Sequence, residues 1–144
     1  GLGASRLVGH DLAQKLMRVD KECHLYDDWH DQLLCAKNMH EGDMAIAFSY
    51  SGLTQEVLDC TAEAQRHNCL VVAVTKVDGS SKLATMADAV LGVAASEPLV
   101  RSGAMASRMA QLMVVDALYA AYVASDYERA THVIKQNYIE KQER

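Results

Sequence analysis

The chain has 144 residues, 50% of them hydrophobic, with 14 basic against 19 acidic side chains and a formal net charge of −5. That composition is enough for one core and is too apolar and too weakly charged for intrinsic disorder. There is no Lys/Arg cluster of the kind that neutralises a phosphate backbone, and the longest uninterrupted apolar run, Ala117–Ala124, is far below the roughly 20 residues that cross a bilayer, so neither nucleic acid nor a membrane is expected as a direct partner.

The sequence opens without methionine on Gly1-Leu2-Gly3-Ala4-Ser5, a stretch that reads as a loop following a strand, so a piece of a longer protein is expected. The apolar stripe Val8, Leu12, Leu16, Val19 recurs at helical spacing and predicts a helix from Ser5 to about Val19. Cys23–Tyr26 reads as a short strand and Trp29 to about Met39 as a second helix. Met44–Phe48 is a near-continuous apolar strand of the kind buried on both faces of a parallel sheet, ending in the polar loop Ser49-Tyr50-Ser51-Gly52. A helix from Thr54 to about His67 puts Val57, Leu58, Thr61 and Ala64 on one face, and the strand Leu70–Thr75 follows. After Asp78-Gly79 come a short helix, Ser80–Met86, and a weaker strand, Ala89–Val93. Ser102–Ala124 is a long helix, apolar on nearly every side and interrupted by Arg108, Gln111 and Asp116; such a helix must be covered by its own domain or by a partner. A more polar helix runs from Asp126 to about Lys141.

This alternation predicts one α/β domain over residues 1–144, a three-layer α-β-α sandwich on a parallel sheet. A flavodoxin-like order 2-1-3-4-5 is expected, with the first strand absent or vestigial and four full strands in these residues. Pro98 is the only proline and no linker stands out. The four cysteines form no C-x-x-C pair and are expected to be reduced core or near-core thiols of a cytoplasmic protein.

In an open parallel sheet, ligands bind beyond the carboxyl ends of the strands where strand order reverses. The loops there are Gly1–Ser5 and Ser49–Thr54, both rich in Gly and Ser and both leading into helix N-termini. Unpaired N–H groups in a first helical turn favour an anion, glycine lets backbone approach it, and Ser49, Ser51 and Thr54 supply three hydroxyls. Phosphate is the natural guest, held by neutral donors because Ser49–Thr54 contains no Lys or Arg. Ser51 and Thr54 are equally ordinary helix caps, as Ser102 is for the long helix.

Gly3-Ala4-Ser5 together with Ser49-Tyr50-Ser51-Gly52-Leu53-Thr54-Gln55-Glu56 resembles the phosphosugar-binding signature of the sugar isomerase (SIS) domain. Glu97 followed by Arg101-Ser102-Gly103-Ala104, Ala106-Ser107-Arg108, Ala110-Gln111-Leu112, Val115-Asp116 and Leu118 is similar to the late helix of RpiR-type transcriptional regulators. Those join an N-terminal helix-turn-helix domain to a C-terminal SIS domain that senses a sugar phosphate. The resemblance implies phosphosugar binding by Ser5, Ser49, Ser51, the Gly52 backbone and Thr54, with Glu97 contacting sugar hydroxyls. It also implies a homodimer or higher homo-oligomer, whose contacts are expected on the long and C-terminal helices, and DNA contact through a domain these residues do not contain.

A phosphosugar isomerase or lyase is the main rival, since proton transfer beside a carbonyl needs a base such as Glu or His. Glu97 qualifies by type, but none of the six histidines falls in the two loops, so binding without turnover is expected and no catalytic residue is assigned. A dinucleotide site is a second rival, as Gly1-Leu2-Gly3 begins like G-x-G-x-x-G and Asp27 follows the second strand; Arg6 at the third glycine position argues against it. Neither a cofactor nor a metal ion is expected: there is no H-E-x-x-H, and the adjacent pair His30-Asp31 is splayed by a helix. Met105, Met109 and Met113 recur at four-residue steps and read as core or interface packing.

Overall fold

The computed structural model describes residues 1–78, 81–95 and 104–140. Three strands, β1 (Met44–Phe48), β2 (Leu70–Lys76) and β3 (Ala89–Val93), form a parallel sheet in the order β1-β2-β3. Phe48 lies opposite Val74 and Lys76 opposite Val93, so all three strands end on one side. The helices are α1 (Gly3–Met17), α2 (Trp29–Lys37), α3 (Gln55–Arg66), α4 (Lys82–Met86), α5 (Met105–Ser125) and α6 (Tyr127–Gln136).

The pleat alternates which face each residue serves. Phe48, Val74 and Val93 point to one face and close a core with Val8 and Leu12 of α1 and Val115 of α5. Ala47 and Ala73 point to the other face, where Val57 and Leu58 of α3 and Leu83 of α4 pack on them. Ala64, Cys69 and Val71 extend that second core. Bulky residues on one face and alanines on the other let α3 approach the sheet closely. The result is the expected three-layer sandwich.

One expected strand does not form. Cys23–Tyr26 carries no strand structure, so among the described residues the sheet has three strands and not four. Among the described residues no strand runs beside that segment. With no ladder partner, β-propensity alone does not make a strand. Its backbone is held by side chains: Gln32 Nε2 donates to Tyr26 O at 3.0 Å, and Arg6 Nη1 donates to Asp27 O at 3.3 Å. Cys23 is accordingly exposed and not near the core, whereas Cys69 is buried; all four thiols are free.

The helices depart from expectation mainly at their ends. α1 begins at Gly3, so Ser5 stands in its first turn rather than in the loop before it. The long helix is not covered all round. Ser107, Gln111 and Val115 are its buried residues, while Met105, Met109 and Met113 are 62%, 59% and 71% exposed.

Lys15 joins α1 to α5: its ammonium pairs with Asp11 on its own helix and, at 2.9 Å, with Asp116. The hydrogen bond to Asp11 and then that to Asp116 raise the Lys15 pKa above its ordinary 10.5. Stabilisation from a raised pKa is complete below the unfolded value and is lost as pH climbs through the folded one. Lys15→Met is therefore expected to lower stability by no more than about 1 kcal/mol near neutrality. In thermal melts the difference from wild type should vanish above the ordinary lysine range.

Candidate functional site

At the carboxyl ends of the strands lies a cavity of about 280 Å³ lined by the start of α1 (Leu2, Gly3, Ala4, Ser5), the last residue of β1 (Phe48), the loop after it (Ser49, Tyr50, Ser51, Thr54) and the start of α5 (Ala104, Ser107). Four of the expected binding residues, Ser5, Ser49, Ser51 and Thr54, line this one space. Glu97 lies outside the described residues, as do Arg101 and Ser102.

Gly52 is not in the lining; it builds the turn. Its φ is +66°, a left-handed conformation that glycine adopts without a Cβ penalty. A Cβ there would stand 1.8 Å from Ser81 Oγ and 2.8 Å from Thr75 Oγ1. The loop is pinned by its own polar atoms: Gly52 N–H donates to Ser49 Oγ at 3.2 Å and to Ser49 O at 3.1 Å, and Ser49 Oγ and Thr54 Oγ1 share a hydrogen bond of 3.0 Å. Beneath it, Thr75 Oγ1 donates to Tyr50 O at 3.3 Å and lies 2.9 Å from Ser81 Oγ, while Leu83 N–H donates to Gly52 O at 3.0 Å. The loop is thereby fixed to the end of β2 and the start of α4.

The alternative role of the hydroxyls as caps does not describe what they do. Thr54 is the N-cap of α3 but makes no side-chain capping bond, and Ser51 Oγ accepts from Leu53 N–H at 3.3 Å, within the loop. The same holds for α1, preceded by Leu2, and for α5, preceded by Ala104 in the left-handed region; neither has a side-chain cap. By contrast α2, α4 and α6 are capped by Asp28, Ser81 and Asp126. Among the described helices, the three without a side-chain cap all begin at this cavity. The unpaired N–H groups and positive dipole end of a helix's first turn favour an anion, and all three of these first turns begin at the lining of this one cavity.

The walls are held from behind. Arg6 Nη1 and His10 Nε2 both reach Asp27 Oδ1, at 3.1 and 2.7 Å, which ties α1 to the segment before α2. The His10 hydrogen bond, and then the Arg6 charge, hold the Asp27 carboxyl below its usual range. Tyr50 OH donates to Ala95 O at 2.5 Å. Tyr50→Phe should cost about 1 kcal/mol of stability, measured by denaturant melts, since the carbonyl loses one neutral donor.

Sequence reasoning missed the supports. Thr75 and Ser81 are buried beneath the turn, and Ser107 and Gln111 are 2% and 1% exposed on α5. The available signal was a serine and an amide inside an otherwise apolar helix.

A family model for the SIS domain matches residues 1–121. Over 127 residues the chain is 39% identical to an uncharacterized HTH-type transcriptional regulator of Caldanaerobacter subterraneus subsp. tengcongensis, covering 88% of this chain and 45% of that protein. It spans about half the length of the curated relatives it matches. The Vibrio vulnificus NanR protein complexed with ManNAc-6P superposes with a TM-score of 0.86 at 31% identity, over 94% of this chain and 51% of that one. The sugar isomerase domain of an RpiR transcription factor from Sphaerobacter thermophilus superposes with a TM-score of 0.80 at 21% identity, over 94% and 74% of the two chains, a likeness of fold.

Proposed function

The chain belongs to the SIS domain family, and from that premise we propose that it binds a sugar phosphate in the cavity between its two Ser/Gly loops, as the effector-sensing part of an RpiR-type transcriptional regulator. The observation that carries the ligand class is the convergence of three uncapped helix N-termini on a space lined by Ser5, Ser49, Ser51 and Thr54. The grip rests on neutral hydroxyl and backbone donors, which suits reversible sensing. Glu97 is assigned to the sugar hydroxyls by resemblance alone.

The regulator role is supported by the helix-turn-helix relative and by the likeness to a NanR protein complexed with ManNAc-6P. In this reading DNA is contacted by a part of the protein other than these 144 residues. Residues 1–144 act as one sensing domain of a cytoplasmic protein; no described helix is long and apolar enough to cross a membrane. A homodimer forms through α5 and α6, with Met105, Met109 and Met113 as contacts, and the ligand couples to DNA by binding two dimer arrangements with different affinity. Turnover is not part of the reading.

A thermal-shift screen tests it. Hexose, amino-sugar and pentose phosphates at a hundred times their Kd should each add about 2.7 kcal/mol, a rise of several degrees, while the unphosphorylated sugars add nothing. Equal shifts with and without the phosphate overturn the site. Product appearing in NMR spectra of the same mixtures would favour an isomerase or lyase.

A further inference from the structure

We propose that Gln111 is a positioning residue for this cavity: its amide determines whether the Ser5 hydroxyl gives its proton to the protein or to a bound anion. The assignment rests on the reading of the cavity as a phosphate site. Ser5 Oγ donates to Gln111 Oε1 at 3.2 Å, joining residues 106 positions apart. Gln111 is 1% exposed, and among the described residues its Nε2 has no partner.

That arrangement has two defects. The Ser5 proton points at residue 111, so the hydroxyl offers the cavity lone pairs, which repel an anion. The buried amide N–H groups also go unmade, which costs about 1–3 kcal/mol. A half-turn about the last, soft torsion of the side chain exchanges Oε1 and Nε2. Nε2 then donates to Ser5 Oγ, and the hydroxyl hydrogen turns into the cavity, where a phosphate oxygen accepts it. One rotation gives the N–H a partner and adds the Ser5 hydroxyl to the site's donors, beside Ser51 and the single hydroxyl hydrogen that Ser49 and Thr54, which share a hydrogen bond, have left to offer. The carbonyl oxygen it leaves unpaired is the more tolerable orphan. Gln111 lies one turn beyond Ser107, which lines the cavity, and shares α5 with the exposed Met105, Met109 and Met113. Filling the site thus changes the bonding of a buried side chain on the helix that carries this methionine stripe.

A double-mutant cycle on the full chain tests the role. Wild type, Ser5→Ala, Gln111→Leu and the double variant are titrated calorimetrically with N-acetylmannosamine 6-phosphate, glucose 6-phosphate and inorganic phosphate. Ser5→Ala should weaken binding of the best probe about tenfold, Gln111→Leu by about three- to tenfold, and the double variant no more than Ser5→Ala. Gln111→Glu keeps the acceptor and removes the donor, so it should bind at least as weakly as Gln111→Leu. Near-UV circular dichroism checks the packing, with Gln111→Met replacing any Leu variant that fails to fold. Equal losses on changing Gln111 in the wild-type and Ser5→Ala backgrounds, as simple packing produces, overturn the role, as does a Gln111→Glu variant that binds like wild type. Absence of binding by wild type to all three probes overturns the phosphate reading together with it.

Discussion

Ser49→Ala combined with Ser51→Ala is expected to lower sugar-phosphate affinity by about 10²- to 10⁴-fold, because each hydroxyl given to a charged acceptor contributes about 1.5–3 kcal/mol. The two changes differ in what else they disturb. Ser51 Oγ accepts only a long bond from Leu53 N–H, so its loss leaves the loop nearly unchanged. Ser49 is 3% exposed, and its Oγ receives Gly52 N–H and meets Thr54 Oγ1. Removing it should cost about 1 kcal/mol, or a few degrees in Tm, since Gly52 N–H still reaches Ser49 O. Calorimetry gives the affinity and thermal melts the stability. A double variant that binds within threefold of wild type would falsify the phosphate assignment.

Gly52→Ala should produce the largest loss of stability, about 2–5 kcal/mol. Holding a non-glycine residue in the left-handed region costs about 1–2 kcal/mol, and forcing a methyl into a packed interior adds about 1–3 kcal/mol. Here the added carbon would stand 2.6 Å from Ser81 Cβ as well as 1.8 Å from its Oγ, so the start of α4 must shift. Leu83, fully buried two residues later, donates its N–H to Gly52 O and cannot follow freely. Against a typical total of about 5–15 kcal/mol, the variant keeps little margin. Denaturant melts read the loss directly, and a midpoint unchanged within error would show that the turn relaxes at no cost.

What the sequence revealed follows the range of the interactions concerned. Met44–Phe48 and Ala89–Val93 are read to the residue because apolar runs and their bounding turns are local signals. The Ser49–Thr54 loop is legible for the same reason, its serines, glycine and threonine lying within six consecutive positions. Cys23–Tyr26 misleads because a strand is defined by its neighbour, and no local pattern reports whether one is present. Thr75, Ser81 and Gln111 are silent because their partners come from other elements; Ser5 and Gln111 meet only once α1 and α5 pack. The long helix shows the same limit: its all-round apolarity demands cover by the domain or a partner, and only the fold shows that its own domain leaves Met105, Met109 and Met113 exposed.

The pair of glutamines, Gln32 on α2 and Gln111 on α5, braces the first turn of α1 and the residues before it: Gln32 Nε2 donates to Gly1 O at 3.2 Å, and Gln111 Oε1 accepts from the Ser5 hydroxyl at 3.2 Å. Three residues before Gln32 stands Trp29, the only tryptophan, whose Nε1 is buried and without a partner among the described residues. Indole emission responds to the polarity and hydrogen bonding of that nitrogen. The chain therefore carries an unlabelled optical reporter on the helix bonded to Gly1, and a titration with a sugar phosphate followed at one emission wavelength is expected to read any change at the start of α1 in real time.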